Sequence, residues 1–200
     1  MSTYGLVVQK KEMTRMWVND KFASVTLLTI PTQEIVRYKT EEKDGYVAAV
    51  VGVGKKETGK VKGAKIAYKK CAEFPVDANF IQQYAAGAAL TSAVLEGVEK
   101  VTLIGEGKGK GFQWVMKRHN AHGWQKTRGS KFHRWVGSTG NRKPRRTQKG
   151  HPHAGRMGGE TVKLKDKQII DIFTNNGEHI VAVKGSIPGS YNGILKLYVS

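Results

Sequence analysis

Residues Lys100–Asn120 read KVTLIGEGKGKGFQWVMKRHN, and residues His151–Lys165 read HPHAGRMGGETVKLK. In each, a β-branched, strand-like segment (Lys100–Gly105, Thr161–Lys165) meets a glycine-rich basic one. Between these edges lies Gly107–Met157, with 14 Lys or Arg and no Asp or Glu; the acids stop at Glu106 and resume at Glu160. The block also holds five of the six histidines, three of the four tryptophans and nine glycines. Its apolar residues keep no steady period, so it predicts neither a helix bundle nor a sheet. The chain therefore reads as a strand-built body, residues 1–106 and 158–200, interrupted by a long basic insertion, residues 107–157.

Outward from the insertion, the body offers short runs rich in Val, Ile, Tyr and Thr. Before it these are Tyr4–Gln9, Ser24–Ile30, Glu34–Thr40, Tyr46–Val53 and Lys100–Gly105; after it, Thr161–Lys165, Gln168–Phe173, His179–Gly185 and Ile194–Val199. Asn19-Asp20, Asp44-Gly45 and Asn176-Gly177 punctuate them, the last a strong hairpin signal. Many short strands with turn punctuation predict a mainly β fold, a closed barrel or sandwich. Helix is expected only at Ala78–Leu90 and as a turn or two within Lys110–His119, which would put Lys117 and Arg118 near Trp114. Trp17 is expected to pack in the body, and Cys71 to be a small, partly buried residue.

Charge narrows the partner. Lys plus Arg number 34 against 16 Asp plus Glu, a net +18, of which the insertion carries +14. Such an excess repels itself and calls for a polyanion. An anionic membrane fits less well, because no apolar run approaches the ~20 residues a span needs. One cysteine leaves no internal disulfide and no cysteine-rich metal site. That cysteine use, and an N-terminus without the apolar core of a secretion signal, predict a cytoplasmic protein.

Three rival motifs are weaker than they look. GKKETGKV (Gly54–Val61) follows the spacing of a phosphate loop, but Val61 stands where a magnesium-binding hydroxyl belongs. Gly105, Gly107, Gly109 and Gly111 recur every second residue, which suits a supple entrance to the insertion rather than a dinucleotide fingerprint. His119 with His122, and His151 with His153, lie among cations with no Cys or carboxylate nearby, a poor setting for zinc. No metal, cofactor, small-molecule substrate or catalytic role is expected.

The insertion itself has the chemistry of an RNA-docking arm. Lys and Arg neutralise phosphates, while Phe112, Trp114, Trp124, Phe132 and Trp135 offer rings for unpaired bases. Doubled back, its 51 residues reach at most ~80 Å at ~3.3 Å per residue. The expected RNA-binding residues begin with Lys108, Lys110, Lys117, Arg118, His119 and Asn120, then Trp124, Lys126, Arg128, His133 and Arg134. Gly137, Ser138, Gly140, Asn141, Arg142, Lys143, Arg145 and Arg146 follow, then Lys149, His151 and Arg156. The cations neutralise phosphate and position the tip; Gly137, Gly140 and Gly155 permit close backbone approach, and Asn141 touches a base edge or sugar. The competing readings are a free, sequence-tolerant RNA chaperone and a nucleotide hydrolase at Gly54–Val61.

Five stretches in order carry a family resemblance: GLVVQKKEMTRMW (Gly5–Trp17), GKGKGFQWVMKRHN (Gly107–Asn120), HRWVGSTGNR (His133–Arg142) followed by Pro144, KGHPHAGRMGGETV (Lys149–Val162) and VAVKGSIPGSYNG (Val181–Gly193). Together they resemble the universal large-subunit ribosomal protein family numbered three in bacteria. The resemblance implies a translation-protein type β-barrel with an extension threading rRNA toward the peptidyl transferase region, binding early in assembly beside other large-subunit proteins. The chain departs from the family pattern in places. Gly140-Asn141 replaces the usual Gly-Gln, so the glutamine methylation found in some bacteria is not expected here. KTRGSKF (Lys126–Phe132) is one residue short of the usual bacterial version, Arg128 replaces a common histidine, and the usual glycines near the N-terminus are partly replaced, giving VVQKKEM.

Overall fold

In the computed structural model of the chain, residues 4–57, 66–140, 146 and 148–199 are described. The chain divides into two compact units, Met1–Gly107 with Thr161–Ser200, and Lys108–Glu160. The first unit is mainly β. Six of its strands close into a barrel: β1 (Tyr4–Val18), β2 (Lys21–Ile30), β7 (Lys100–Glu106), β10 (Thr161–Asn175), β11 (Glu178–Lys184) and β12 (Ile194–Val199), in the order β1-β12-β7-β10-β11-β2. Every neighbouring pair is antiparallel. A second sheet runs in the order β5 (Ile66–Pro75), β4 (Ala48–Glu57), β3 (Gln33–Lys39), β6 (Ala89–Leu90). Helix is confined to short pieces: α1 (Glu41–Asp44), α2 (Ala78–Gln83) and a 3-10 turn at Ser92–Leu95 in this unit, and α3 (Val115–His119) in the other.

Inward-facing aliphatics fill the barrel: Leu6, Val8, Leu28, Val101, Leu103, Val181, Val183 and Leu197 are all fully buried. Phe74 of β5 is equally buried and lies against β1 at Gly5, where an added Cβ would sit 2.3 Å from its ring. Gln33 makes a second link between the sheets. Pairing of β1 with β2 begins at Gln9↔Thr29. Upstream of it, the Val7 N–H donates to Gln33 Oε1 (2.9 Å), and Gln33 Nε2 donates to the Val7 carbonyl (3.1 Å).

Several local expectations need correction. β1 runs on to Val18 rather than ending at Gln9, because past Lys10-Lys11 the chain pairs with β2 up to the Asn19-Asp20 turn. Both turn residues are left-handed (φ 47° and 58°), as a tight hairpin requires. The outer half of that hairpin is exposed, so Trp17 does not pack in the core; it meets Phe22 edge-on at 4.7 Å, the two 62% and 71% exposed. β5 was not expected, since Lys69-Lys70 and Pro75 break its apolar pattern. It is an edge strand, where proline is tolerated, and its Ala72 and Phe74 are buried between exposed Cys71, Glu73 and Pro75. Cys71 is thus exposed, not partly buried. β10 is one strand, not two: Asp166 (φ 52°) sits in a register shift between Leu164 and Lys167 without ending the ladder. The alanine-rich helix stops at Gln83; Tyr84 is extended, and the chain turns back so that Gly87 N–H donates to the Ile35 carbonyl (2.7 Å).

Candidate nucleic-acid interface

The second unit, Lys108–Glu160, begins and ends in a small ladder. β8 (Phe112–Gln113) pairs antiparallel with β9 (Gly155–Arg156), Phe112 opposite Arg156. Two backbone bonds extend it: Lys110 N–H to the Met157 carbonyl and Met157 N–H to the Gly111 carbonyl, each 2.9 Å. Gly158 closes this neck. Its φ is +76°, and a Cβ there would lie 2.3 Å from the Lys108 carbonyl oxygen.

From the neck the chain enters α3, anchored by buried Val115. The Trp114 carbonyl accepts from Lys117 N–H (3.1 Å) and Arg118 N–H (3.0 Å), which sets Lys117 and Arg118 beside Trp114. Asn120, left-handed at φ 54°, ends the helix. Arg118 Nη1 donates to the His153 carbonyl at 2.8 Å, and His119 Nε2 lies 3.2 Å from the same oxygen. Gly155 leaves room for that guanidinium, since a Cβ there would be 2.7 Å from Arg118 Nη1. Its glycine thus serves an internal fit. Beyond α3 the backbone is irregular, turning through left-handed Arg128 and Gly129 (φ 65° and 76°).

The cations are left facing water. Lys108, Lys110, Lys117, Arg118, Lys126, Arg128, Arg134, Arg146, Lys149 and Arg156 are all exposed. Lys131, which the sequence reading passed over, is exposed too. The ion pairs found among the described residues (Lys11–Glu178, Arg37–Asp44, Lys39–Glu73 and Lys55–Glu34) all lie in the first unit. The second unit sets 14 Lys or Arg against Glu160 alone, a net of 14 − 1 = +13. Trp124 is 64% exposed; Gly137 (φ +76°) and Gly140 (φ +133°) face open space, so their backbone conformation, not crowding, calls for glycine. Ser138 Oγ approaches the Gly140 amide at 3.5 Å. His133 and His151 are partly buried, and His151 packs on His153 with ring centroids 5.4 Å apart. Asn141, Arg142, Lys143 and Arg145 lie outside the described residues, as does part of Gly54–Val61. Among the described residues no group of three His, Cys, Asp or Glu is placed to hold a metal, and no helix is long and apolar enough to cross a membrane.

The sequence reading also missed His153, whose carbonyl joins Arg118 and His119. No residue-type signal marks a backbone acceptor, so only the fold finds it.

A mainly β body bearing an irregular unit of uncompensated cations and exposed rings is the build of a polyanion-binding protein. The sequence matches the family described as ribosomal protein L3 over residues 9–181. It is 33% identical over 200 residues to the large ribosomal subunit protein uL3 of Fervidobacterium nodosum, covering 95% of each chain. It is 34% identical to that of Petrotoga mobilis (96% of this chain, 93% of the relative) and 35% identical to that of Borrelia hermsii (92% and 91%). The chain belongs to the ribosomal protein L3 family, as its motifs indicated. It is a structural protein of the large ribosomal subunit, not an enzyme, and that subunit is cytoplasmic in bacteria.

Proposed function

We propose that the chain binds large-subunit rRNA through residues 107–157, supports early assembly of the subunit, and extends this basic segment toward the peptidyl transferase region. The body, residues 1–106 and 158–200, is the platform that holds the segment at its neck and packs beside neighbouring large-subunit proteins. One observation carries the reading: every described Lys and Arg of the segment is exposed, and the segment contains no carboxylate to neutralise it. Phosphates supply the missing charge, with release of condensed counterions as the driving force. Arg118 contributes while its Nη1 is tied to the His153 carbonyl, so its charge is pre-positioned rather than swinging freely.

Density-gradient sedimentation of a native lysate after a high-salt wash tests the reading. Near one copy per large subunit is the expected result. Recovery only in the free fraction would favour a sequence-tolerant RNA chaperone. With ~6–10 phosphate contacts, affinity for isolated large-subunit rRNA falls by ~10³–10⁵ between 50 and 200 mM salt.

A further inference from the structure

Within the second unit, Trp114, Phe132, Trp135, Val136 and Gly137 line an open pocket of about 450 Å³. Its rings are unusually bare: Trp114 is 55% exposed, Phe132 43% and Trp135 70%. Phe132 and Trp135 lean on each other with centroids 5.3 Å apart and planes 37° off parallel, leaving ring faces open. We propose that this pocket receives one unpaired nucleobase of the bound RNA, stacked against a tryptophan. The inference rests on the RNA-binding reading above and adds a specific subsite to it.

Size, lining and surroundings select that occupant. The volume falls within the ~300–1,000 Å³ of small-ligand sites, room for a single nucleoside. The lining is flat, apolar and aromatic, which suits a π-face and gives no hydrogen-bond pattern to demand a particular base. Gly137 adds no side chain to the wall. Exposed Lys131 and Arg134 adjoin the lining residues in sequence, and Gly107–Met157 lacks any carboxylate. A basic peptide or a cationic ligand is repelled there, whereas a base arriving on its own phosphate chain is drawn in. Bases already stacked in a duplex present no free face, so the ligand is single-stranded.

The test uses the whole chain carrying Trp17→Phe and Trp124→Phe, so that fluorescence reports Trp114 and Trp135. The probes are a single-stranded RNA of about a dozen nucleotides and a duplex of the same length. The single strand is expected to quench the emission and the duplex to leave it largely unchanged. Trp114→Leu and Trp135→Leu, which keep apolar bulk but remove the ring, should weaken single-strand binding about tenfold while leaving the salt slope unaltered. Leu variants that bind like the parent, or equal quenching by both probes, would overturn the pocket and leave the electrostatic reading standing. Failure to bind either RNA at low salt would remove the RNA-binding reading and the pocket with it. If a Leu variant does not fold, the comparison of the two probes in Trp135→Phe decides by the same criterion. Rings that stay open to acrylamide in the RNA complex, and are shielded only in the assembled subunit, would assign the pocket to a neighbouring protein and refute the proposal.

Discussion

Gln33 is 2% exposed, and its one amide meets both the N–H and the carbonyl of Val7. Gln33→Ala strands two buried backbone groups, and an unmet buried group costs about 1–3 kcal/mol. The expected outcome is a lower denaturation midpoint in urea with an unchanged slope. Two surface carboxylates give a pH signature. The Tyr68 hydroxyl, and after it Lys55, hold Glu34 below the ordinary glutamate value; Tyr46, and after it Lys39, do the same for Glu73. A carboxyl depressed in the folded state contributes stability that is present above its unfolded value, ~4.3, and lost as pH falls through its folded one. The acid limb of the stability curve should therefore be flatter in Glu34→Gln/Glu73→Gln protein, as urea melts at stepped pH would show. Because both partners hold the carboxylate form, Tyr68→Phe and Lys55→Ala should each raise Glu34 in a carboxyl NMR titration. None of these partners was legible in the sequence: Glu34 and Tyr68 are 34 residues apart and meet because β3 and β5 flank β4.

At the scale of elements, the neck ladder depends on one conformation. Gly158→Ala meets a left-handed penalty of roughly 1–2 kcal/mol and a collision with the Lys108 carbonyl. Amide exchange at Lys110 and Met157, whose N–H groups bridge the neck, should accelerate. The amides of β7, β11 and β12 should keep their protection. Runs dense in β-branched and apolar residues were readable: Tyr4–Gln9, Lys100–Gly105 and Ile194–Val199 each lie within an observed strand. Runs broken by clustered charge or by proline were not. Lys165-Asp166-Lys167 looks like a turn, yet the β7 partner on either side carries β10 through it. β5 hides behind paired lysines and a proline, because an edge strand has only one neighbour to satisfy. The insertion was legible for the opposite reason: absence of acid and of period needs no tertiary context to see. What it leaves hidden is which of its residues fold on each other, such as Arg118 on His153.

At the scale of the molecule, Glu106 and Thr161 are register partners on β7 and β10. A two-residue Asn-Gly turn therefore suffices to join them. Replacing residues 107–160 by Asn-Gly should give a chain of net charge 18 − 13 = +5 that still melts cooperatively, because the buried core cluster lies wholly outside the replaced segment. The same chain should lose most of its rRNA affinity and most of the slope of log affinity against log salt. A chain that keeps the slope would place the phosphate contacts on the body instead.

The ring closes where β1 meets β12, Tyr4 opposite Val199. Partners so far apart make barrel closure a late event, since the entropy of a long loop must be met before the pairing rewards it. Translation also makes the cationic segment before β10, β11 and β12 exist. A nascent chain thus presents its acid-free cationic part while the body is still an open sheet with unpaired edges. Its vulnerable interval is the one between emergence of residue 108 and arrival of β12, and RNA bound during that interval would hold the segment while the barrel is still unfinished.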